Sequence, residues 1–397
     1  MLDFHKHFSI AHWDNHSTDD DFYLAFAASS DEYKKEIRDI YFGVEFTYQH
    51  LGQTRRYGET MGVTATEGQV DNLLRIQREF GVECSMTINS LNIPVEIAAD
   101  PVVMARFLDF LQGYYDRGLR SCTMSNTHLM RKGVLQDRFP EMRWKNTVNQ
   151  QVKSTQELYD YAALGYNTIC LDRSVNRDLE TLQEIYREAK KIDVEISLLV
   201  SEGCLPTCPF KTEHDSWQAT LQKSPINYWQ TFPETCSSWR ARASAHMPRL
   251  GIDISMATEE LLELWMENTG VMKFSGRMSP TSGLSGVKMC WTGVGKKKTN
   301  VLGAHEMAIE EFEYADSFSE IYEKKLAPYI VDRWMPMGWT RIGAKNQHAP
   351  EDVNLIWLTR KGKGLSKLLS TCKNRCWDCH ACEHVFGVTP FNSAIGL

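Results

Sequence analysis

Residues 194–210 read Val-Glu-Ile-Ser-Leu-Leu-Val-Ser-Glu-Gly-Cys-Leu-Pro-Thr-Cys-Pro-Phe. The β-branched and leucine run predicts a strand over 194–201 covered on both faces, and Gly203, Pro206 and Pro209 stop it sharply. That strand runs straight into Cys204 and Cys208. Parallel α/β proteins place their chemistry at the carboxyl ends of strands, so two thiols at this mouth point to a metal.

Seven further runs of strand composition flank this one, at 39–46, 82–89, 119–125, 144–150, 166–172, 250–255 and 271–275. Segments of helical period separate them, among them 68–80, 154–164 (opened by a Ser-Thr-Gln-Glu cap) and 179–190. Eight strand-helix repeats in about 250 residues predict a TIM-like (β/α)8 barrel, in the α/β class. An open doubly wound sheet is the alternative, but no G-x-G-x-x-G loop follows the first strand. Beyond about residue 290 the pattern changes. We therefore expect a barrel with its lead-in over residues 1–290 and a cysteine-rich extension over 291–397.

With 397 residues, 42% hydrophobic and 24% charged, the chain has the composition of a globular protein with a large core. Its net charge of -7 argues against affinity gained by coating a nucleic-acid backbone, although the basic stretches 296–298 and 360–367 leave room for a structured RNA. The first residues, Met-Leu-Asp-Phe-His-Lys-His, carry no secretory signal, and no apolar run approaches the length of a membrane span. A cytoplasmic location follows as the expectation. In that reducing compartment, the eleven cysteines cluster for metal binding or catalysis rather than for disulfides. Cys84, Cys122 and Cys170 stand singly in apolar runs and read as core residues.

Polar residues end several of the expected strands and would meet on one barrel face. They include Glu45 on the first strand, Asn89 on the second, Asn126 after the third, Asn149 and Gln150 on the fourth, and Asp172, Arg173 and Arg177 after the fifth. Taken singly, each reads equally as a helix cap or turn residue. After the sixth strand come Glu202, Cys204, Cys208, Lys211 and His214. A C-x3-C pair supplies two soft ligands where a tetrahedral site or cluster needs four. Cys236 is the first choice for a third and Cys290 a candidate fourth, with a histidine or non-protein ligand as alternatives, and a thiol pair packed under a loop as the bland reading. At the other end, Cys372, Cys376, Cys379 and Cys382 place four thiols within eleven residues, enough for a structural zinc or an iron-sulfur cluster.

Two segments resemble peptidase family U-thirty-two (U32), the collagenase-like group of unassigned catalytic type. One is Ser-Glu-Gly-Cys-Leu-Pro-Thr-Cys-Pro over 201–209; the other is Met-Lys-Phe-Ser-Gly-Arg-Met over 272–278, similar to that family's Phe-Lys-Ile-Glu-Gly-Arg. Here the interval from Cys204 to Cys208 is short, and Ser275 stands where the family has Glu. The resemblance spans residues 37–280 and implies a TIM-like barrel holding an oxygen-sensitive four-iron four-sulfur cluster. It further implies hydroxylation of aromatic rings without molecular oxygen, on nucleobases of RNA or on ubiquinone precursors, with prephenate as oxygen donor in some members. By position, Cys204, Cys208 and Cys236 would be cluster ligands, and Lys273 and Arg277 would bind a carboxylate or phosphate.

The leading expectation is thus an iron-sulfur hydroxylase-like oxidoreductase with one or two 4Fe-4S clusters, zinc being the alternative at the terminal site. Glu45, Asp172, Arg173, Glu202 and His214 would serve the chemistry, and Asn89, Asn126, Arg177, Lys273 and Arg277 the substrate. Its partners would be a small aromatic substrate or RNA, with an electron donor or partner protein. A metal-stabilised binding or assembly protein is the second reading. The third, a peptidase, would need Cys204 as nucleophile with His214 as base, since neither H-E-x-x-H nor G-x-S-x-G occurs.

Overall fold

The computed structural model describes residues 6–12, 18–27, 31–60, 64–201, 211–213, 271–274 and 375–379. In chain order the strands are β1 (Phe8–Ala11), β2 (Ile37–Gly43), β3 (Glu45–His50), β4 (Gln53–Gly58), β5 (Glu83–Ile88), β6 (Ser121–Met124), β7 (Arg143–Lys145), β8 (Thr168–Cys170), β9 (Glu195–Ser201) and β10 (Val271–Phe274). The helices are α1 (Asp21–Ala27), α2 (Asp31–Glu36), α3 (Glu67–Phe80), α4 (Glu96–Ala99), α5 (Pro101–Asp116), α6 (Thr127–Arg131), α7 (Val134–Arg138), α8 (Thr155–Ala163) and α9 (Leu179–Lys191). A further helical turn spans Cys376–Cys379.

Every pairing in the main sheet is parallel, and the order β1-β10-β9-β8-β7-β6-β5-β2 returns to β1, curling the sheet into a barrel of the TIM-like kind. The expected strand at 250–255 lies outside the described residues. In the ring β9 pairs directly with β10, and β1, which the sequence does not announce, supplies the eighth member. No helix among the described residues is long and apolar enough to cross a membrane.

The expected strands are mostly longer than the observed ones, and two of them give way to other structure. The run 39–46 divides after Gly43, and Glu45 opens an antiparallel hairpin of β3 and β4 that stands outside the ring. Leu51 and Gly52 turn this hairpin with φ of 49° and 74°, the left-handed pair that matches strand twist. The run 144–150 yields β7, and then a 3-10 turn at Val148–Gln150 closed by a Thr147–Gln150 capping box. The helices follow their caps closely. Thr66 and Gln69 form a capping box on α3, Gly81 ends it at φ 67°, and Ser154 and Asp178 cap α8 and α9.

The strand expected at 194–201 is β9, with Ile196 to Leu199 buried on both faces as expected, although its inward position 197 is a serine. On β5, Cys84 faces outward, its thiol donating to Leu73 O of α3 at 3.0 Å, while Ser85 accepts from the Ser121 hydroxyl of β6 at 3.0 Å. Ile196 and Leu198 are fully buried against the helical layer, and Ser197 between them lines the barrel interior. The large apolar core therefore lies between barrel and helices: Met86, Ile88, Trp144 and Ile169 from the strands, with Leu73, Phe107, Leu111 and Ile185 from α3, α5 and α9. Inside, Asp39, Thr123, Lys145, Asn146, Thr168, Cys170 and Ser197 surround a small cavity. TIM barrels ordinarily fill that space with branched apolar side chains.

Candidate active site

At the amino end of the barrel, six charged side chains form one network. Arg38 of β2 approaches Glu83 of β5 at 3.6 Å and reaches Glu195 of β9 at 3.3 Å; Arg143 of β7 meets Glu195 at 2.7 Å. Lys145 of β7 donates across the barrel to Asp39 of β2, which also accepts from the Ser9 hydroxyl, and Glu83 lies 3.4 Å from the same ammonium. The neighbours Arg38 and Asp39 join one network because β2 shifts register there: Phe8 pairs with Ile37 but Ser9 with Asp39, leaving Arg38 as the extra residue of a bulge. Burial alone would push the Lys145 ammonium down, but the Asp39 and Glu83 carboxylates outweigh it and hold its pKa up. Lys145 is thus placed as a hydrogen-bond donor to Asp39.

Above this network lies a cavity of ≈ 20 Å³ lined by Asp39, Thr123, Lys145, Asn146, Thr168, Cys170 and Ser197. Sequence reasoning missed Asp39 and Lys145 as site residues. The signal was present: each is a charge inside a short strand whose neighbours, Ile40 and Trp144, are the apolar outward positions.

The carboxyl end is built from the loops. Arg173 follows β8 and is 3% exposed; its guanidinium donates to Asn149 Oδ1 at 3.4 Å, and Lys211 Nζ donates to the same oxygen at 3.4 Å. Two cations thus converge on one neutral acceptor. Asp172 accepts from the Ser174 amide at 3.0 Å and hydroxyl at 2.7 Å, an Asx turn that fixes the loop carrying Arg173. Asn126 caps α6 through Oδ1, at 3.1 Å from Leu129 N, while its buried Nδ2 has no partner. Asn89 accepts from the Thr60 amide at 2.7 Å and ties down the segment after β4.

The hairpin of β3 and β4 is pinned to this rim from two sides. Tyr57 is fully buried, its hydroxyl 2.7 Å from Ser125 Oγ, which donates to Ser90 O at 2.6 Å. Gly58 admits no side chain, since a Cβ there would stand 2.2 Å from Val44 O. On the other side, Glu96 accepts from Tyr48 Oη and Arg55 Nε, each at 2.9 Å, with His50 Nδ1 at 3.6 Å. Burial would raise the Glu96 pKa, but the bonds from Arg55 and Tyr48 prevail and lower it from 4.5 to about 2. A carboxyl depressed on folding stabilises the fold above its unfolded pKa, and this is lost as pH falls from 4.5 toward 2. Glu96→Gln should cost about 1–3 kcal/mol at neutral pH, and should flatten the acid limb of stability against pH measured by urea denaturation. An unchanged acid limb would contradict this assignment.

Of the sequence-derived residues, Asn126, Asp172 and Arg173 stand on the carboxyl-end loops, and Asn89 just after β5. Glu45 stands at the hairpin base, 3.8 Å from Arg56. Arg177 falls in the 3-10 turn Val175–Arg177, and Lys273 is in register with Ser9 and Leu199. Glu202, Cys204, Cys208, His214, Cys236, Arg277, Cys372 and Cys382 lie outside the described residues. Cys376 and Cys379 occupy one helical turn, and the Cys379 thiol is free and exposed. Cys84, Cys122 and Cys170 are buried as expected, and burial pushes the Cys122 thiol pKa up. Among the described residues, no three His, Cys, Asp or Glu side chains are grouped to hold a metal ion.

No family model matches the chain, and no curated protein matches it in sequence. Among solved structures, it is similar to a U32 peptidase at TM-score 0.44 and 12% identity, over 68% of this chain and 93% of that one. It is also similar to the carboxyl transferase domain of Rhizobium etli pyruvate carboxylase at TM-score 0.32 and 9% identity, over 93% of this chain and 60% of that one.

Proposed function

We propose that the chain is a U32-type iron-sulfur enzyme that modifies an aromatic ring or nucleobase by oxygen-independent hydroxylation. The observation that carries this reading is the adjacency of β9 and β10. These neighbouring parallel strands end at Ser201 and Phe274 and lead into the Cys204–Cys208 segment and the Gly276–Arg277 segment respectively. The strands that open the two family-like segments therefore end side by side at one end of the barrel.

The donor chemistry fits a cluster. Cys204 and Cys208, which follow β9 in sequence, and Cys236 would offer soft thiolates, the ligand type that iron-sulfur clusters take. Cys376 and Cys379 stand three residues apart in one helical turn; with Cys372 and Cys382 they would hold a second cluster or zinc. When bound, the barrel cluster supplies a Lewis-acidic or one-electron site for the oxygen donor. The chain's own groups bind and orient. Arg173 and Lys211 receive an anionic group at Asn149, Asn126 donates its spare N–H to a ring oxygen, and the Asp172 turn keeps Arg173 in place. Glu202, His214, Lys273 and Arg277 complete the mouth in this reading.

Anaerobically purified protein should contain iron and acid-labile sulfide, with broad visible charge-transfer absorption that air bleaches. Stoichiometric zinc with no iron would overturn the proposal and favour a metal-stabilised binding protein.

A further inference from the structure

The barrel interior has hydrogen-bonding capacity that the protein itself does not use. Lys145 carries three N–H donors; one is taken by Asp39, and Glu83 lies 3.4 Å away without hydrogen-bond alignment. The Thr123 and Ser197 hydroxyls line the cavity, are 2% and 4% exposed, and make no hydrogen bond among the described residues. Thr87, in register beside Thr123 on the same face of the sheet, has a buried hydroxyl with no partner. Buried hydroxyls and ammonium N–H groups are rarely left unmatched, because each such group forfeits its bond to water. Three such groups, Lys145, Thr123 and Ser197, line one space and mark it as built to receive an acceptor.

Charge and size define which acceptor. Among the described residues, Arg38, Arg143 and Lys145 balance Asp39, Glu83 and Glu195, so an added anion would leave an uncompensated buried charge. A cavity of ≈ 20 Å³ has room for about one oxygen atom of water size. Asp39 and Lys145 of the ion network line it, as do Asn146 and Cys170 at the carboxyl ends of β7 and β8.

We propose that this cavity is an oxygen subsite: it takes one neutral acceptor oxygen, the carbonyl or hydroxyl oxygen of a ring entering from the carboxyl mouth, bound by Lys145, Thr123 and Ser197. The ring itself rests on the function proposed above, and the subsite deepens that reading by requiring an oxygen substituent on the substrate.

Phenol and benzene, which differ by that oxygen, test the subsite by calorimetric titration of the anaerobically purified full chain. Phenol should bind saturably and at least about tenfold more tightly than benzene. Thr123→Val and Ser197→Ala should each weaken phenol about 3- to 10-fold, the loss of one hydrogen bond, and leave benzene unchanged. Their melting temperatures should not fall, because neither hydroxyl has a protein partner to lose. Equal binding of phenol and benzene, no saturable phenol binding, or phenol affinity unchanged in both variants would overturn the subsite. Iron measured in the same samples separates the two ideas. Iron present with hydroxyl-independent phenol binding defeats the subsite alone; iron absent with hydroxyl-dependent binding defeats the proposed enzyme and leaves the subsite standing.

Discussion

Asp39→Ala should destabilise the protein by about 3–5 kcal/mol, the largest loss expected from any single polar residue of the barrel. Asp39 is 2% exposed and accepts from both Ser9 and Lys145, on strands to either side of the interior. Removing it strands a buried ammonium whose other carboxylate, Glu83, stands 3.4 Å away and also faces Arg38. An unpaired buried charge costs far more than the pair contributes, because the desolvation of the remaining ion is no longer offset. Lys145→Met in the Asp39→Ala background should therefore recover part of the loss, since it removes the orphaned charge. Urea denaturation of the two single variants and the double variant gives the coupling directly. Additive losses would mean that the two side chains do not form the pair described.

Cys204→Ser with Cys208→Ser should abolish iron binding at the barrel mouth, a loss of roughly four iron atoms per chain if a cubane is held there. Because β9 ends at Ser201, before either cysteine, the substituted positions belong to no described strand or helix, and far-ultraviolet circular dichroism should be unchanged. That pairing of outcomes separates a functional cluster from a structural one: in small metal-stapled domains metal and fold are lost together. Cys376→Ser is the companion variant. It should remove the terminal metal and leave the barrel iron in place.

The architecture was legible where alternation and caps coincide. Glu83 to Ile88 spells a strict two-residue period, and Thr66–Gln69 and Ser154 announce their helices, so β5, α3 and α8 appear close to their expected bounds. The inside of the barrel was harder to read because parallel strands are expected to be apolar on both faces. Asp39 and Lys145 were passed over for that reason, although their placement between outward-facing Ile40 and Trp144 gives them away in retrospect. Strand β1 was missed because Phe-Ser-Ile-Ala is too short to carry a period, and its pairing with β2 and β10 depends on chain closure. The hairpin was hidden because its turn is Leu-Gly, not the Asn-Gly or Asp-Gly that signals such turns.

At the mouth, the residues read from the sequence divide by what they do. Asp172 and Asn126 are turn and cap residues, the bland alternative for each, yet both hold positions that frame the opening. Arg173 goes further than a cap, since its guanidinium is 3% exposed and shares the Asn149 oxygen with Lys211. Glu45 instead serves the hairpin base through Arg56.

The most direct test is X-ray diffraction from crystals grown anaerobically, with data collected on both sides of the iron absorption edge. A strong anomalous peak beyond the carboxyl end of β9, bonded to Cys204 and Cys208 and facing the Arg173 loop, is the expected result. Iron confined to the Cys376–Cys379 turn, or no iron peak in a crystal whose cysteines are intact, would contradict it.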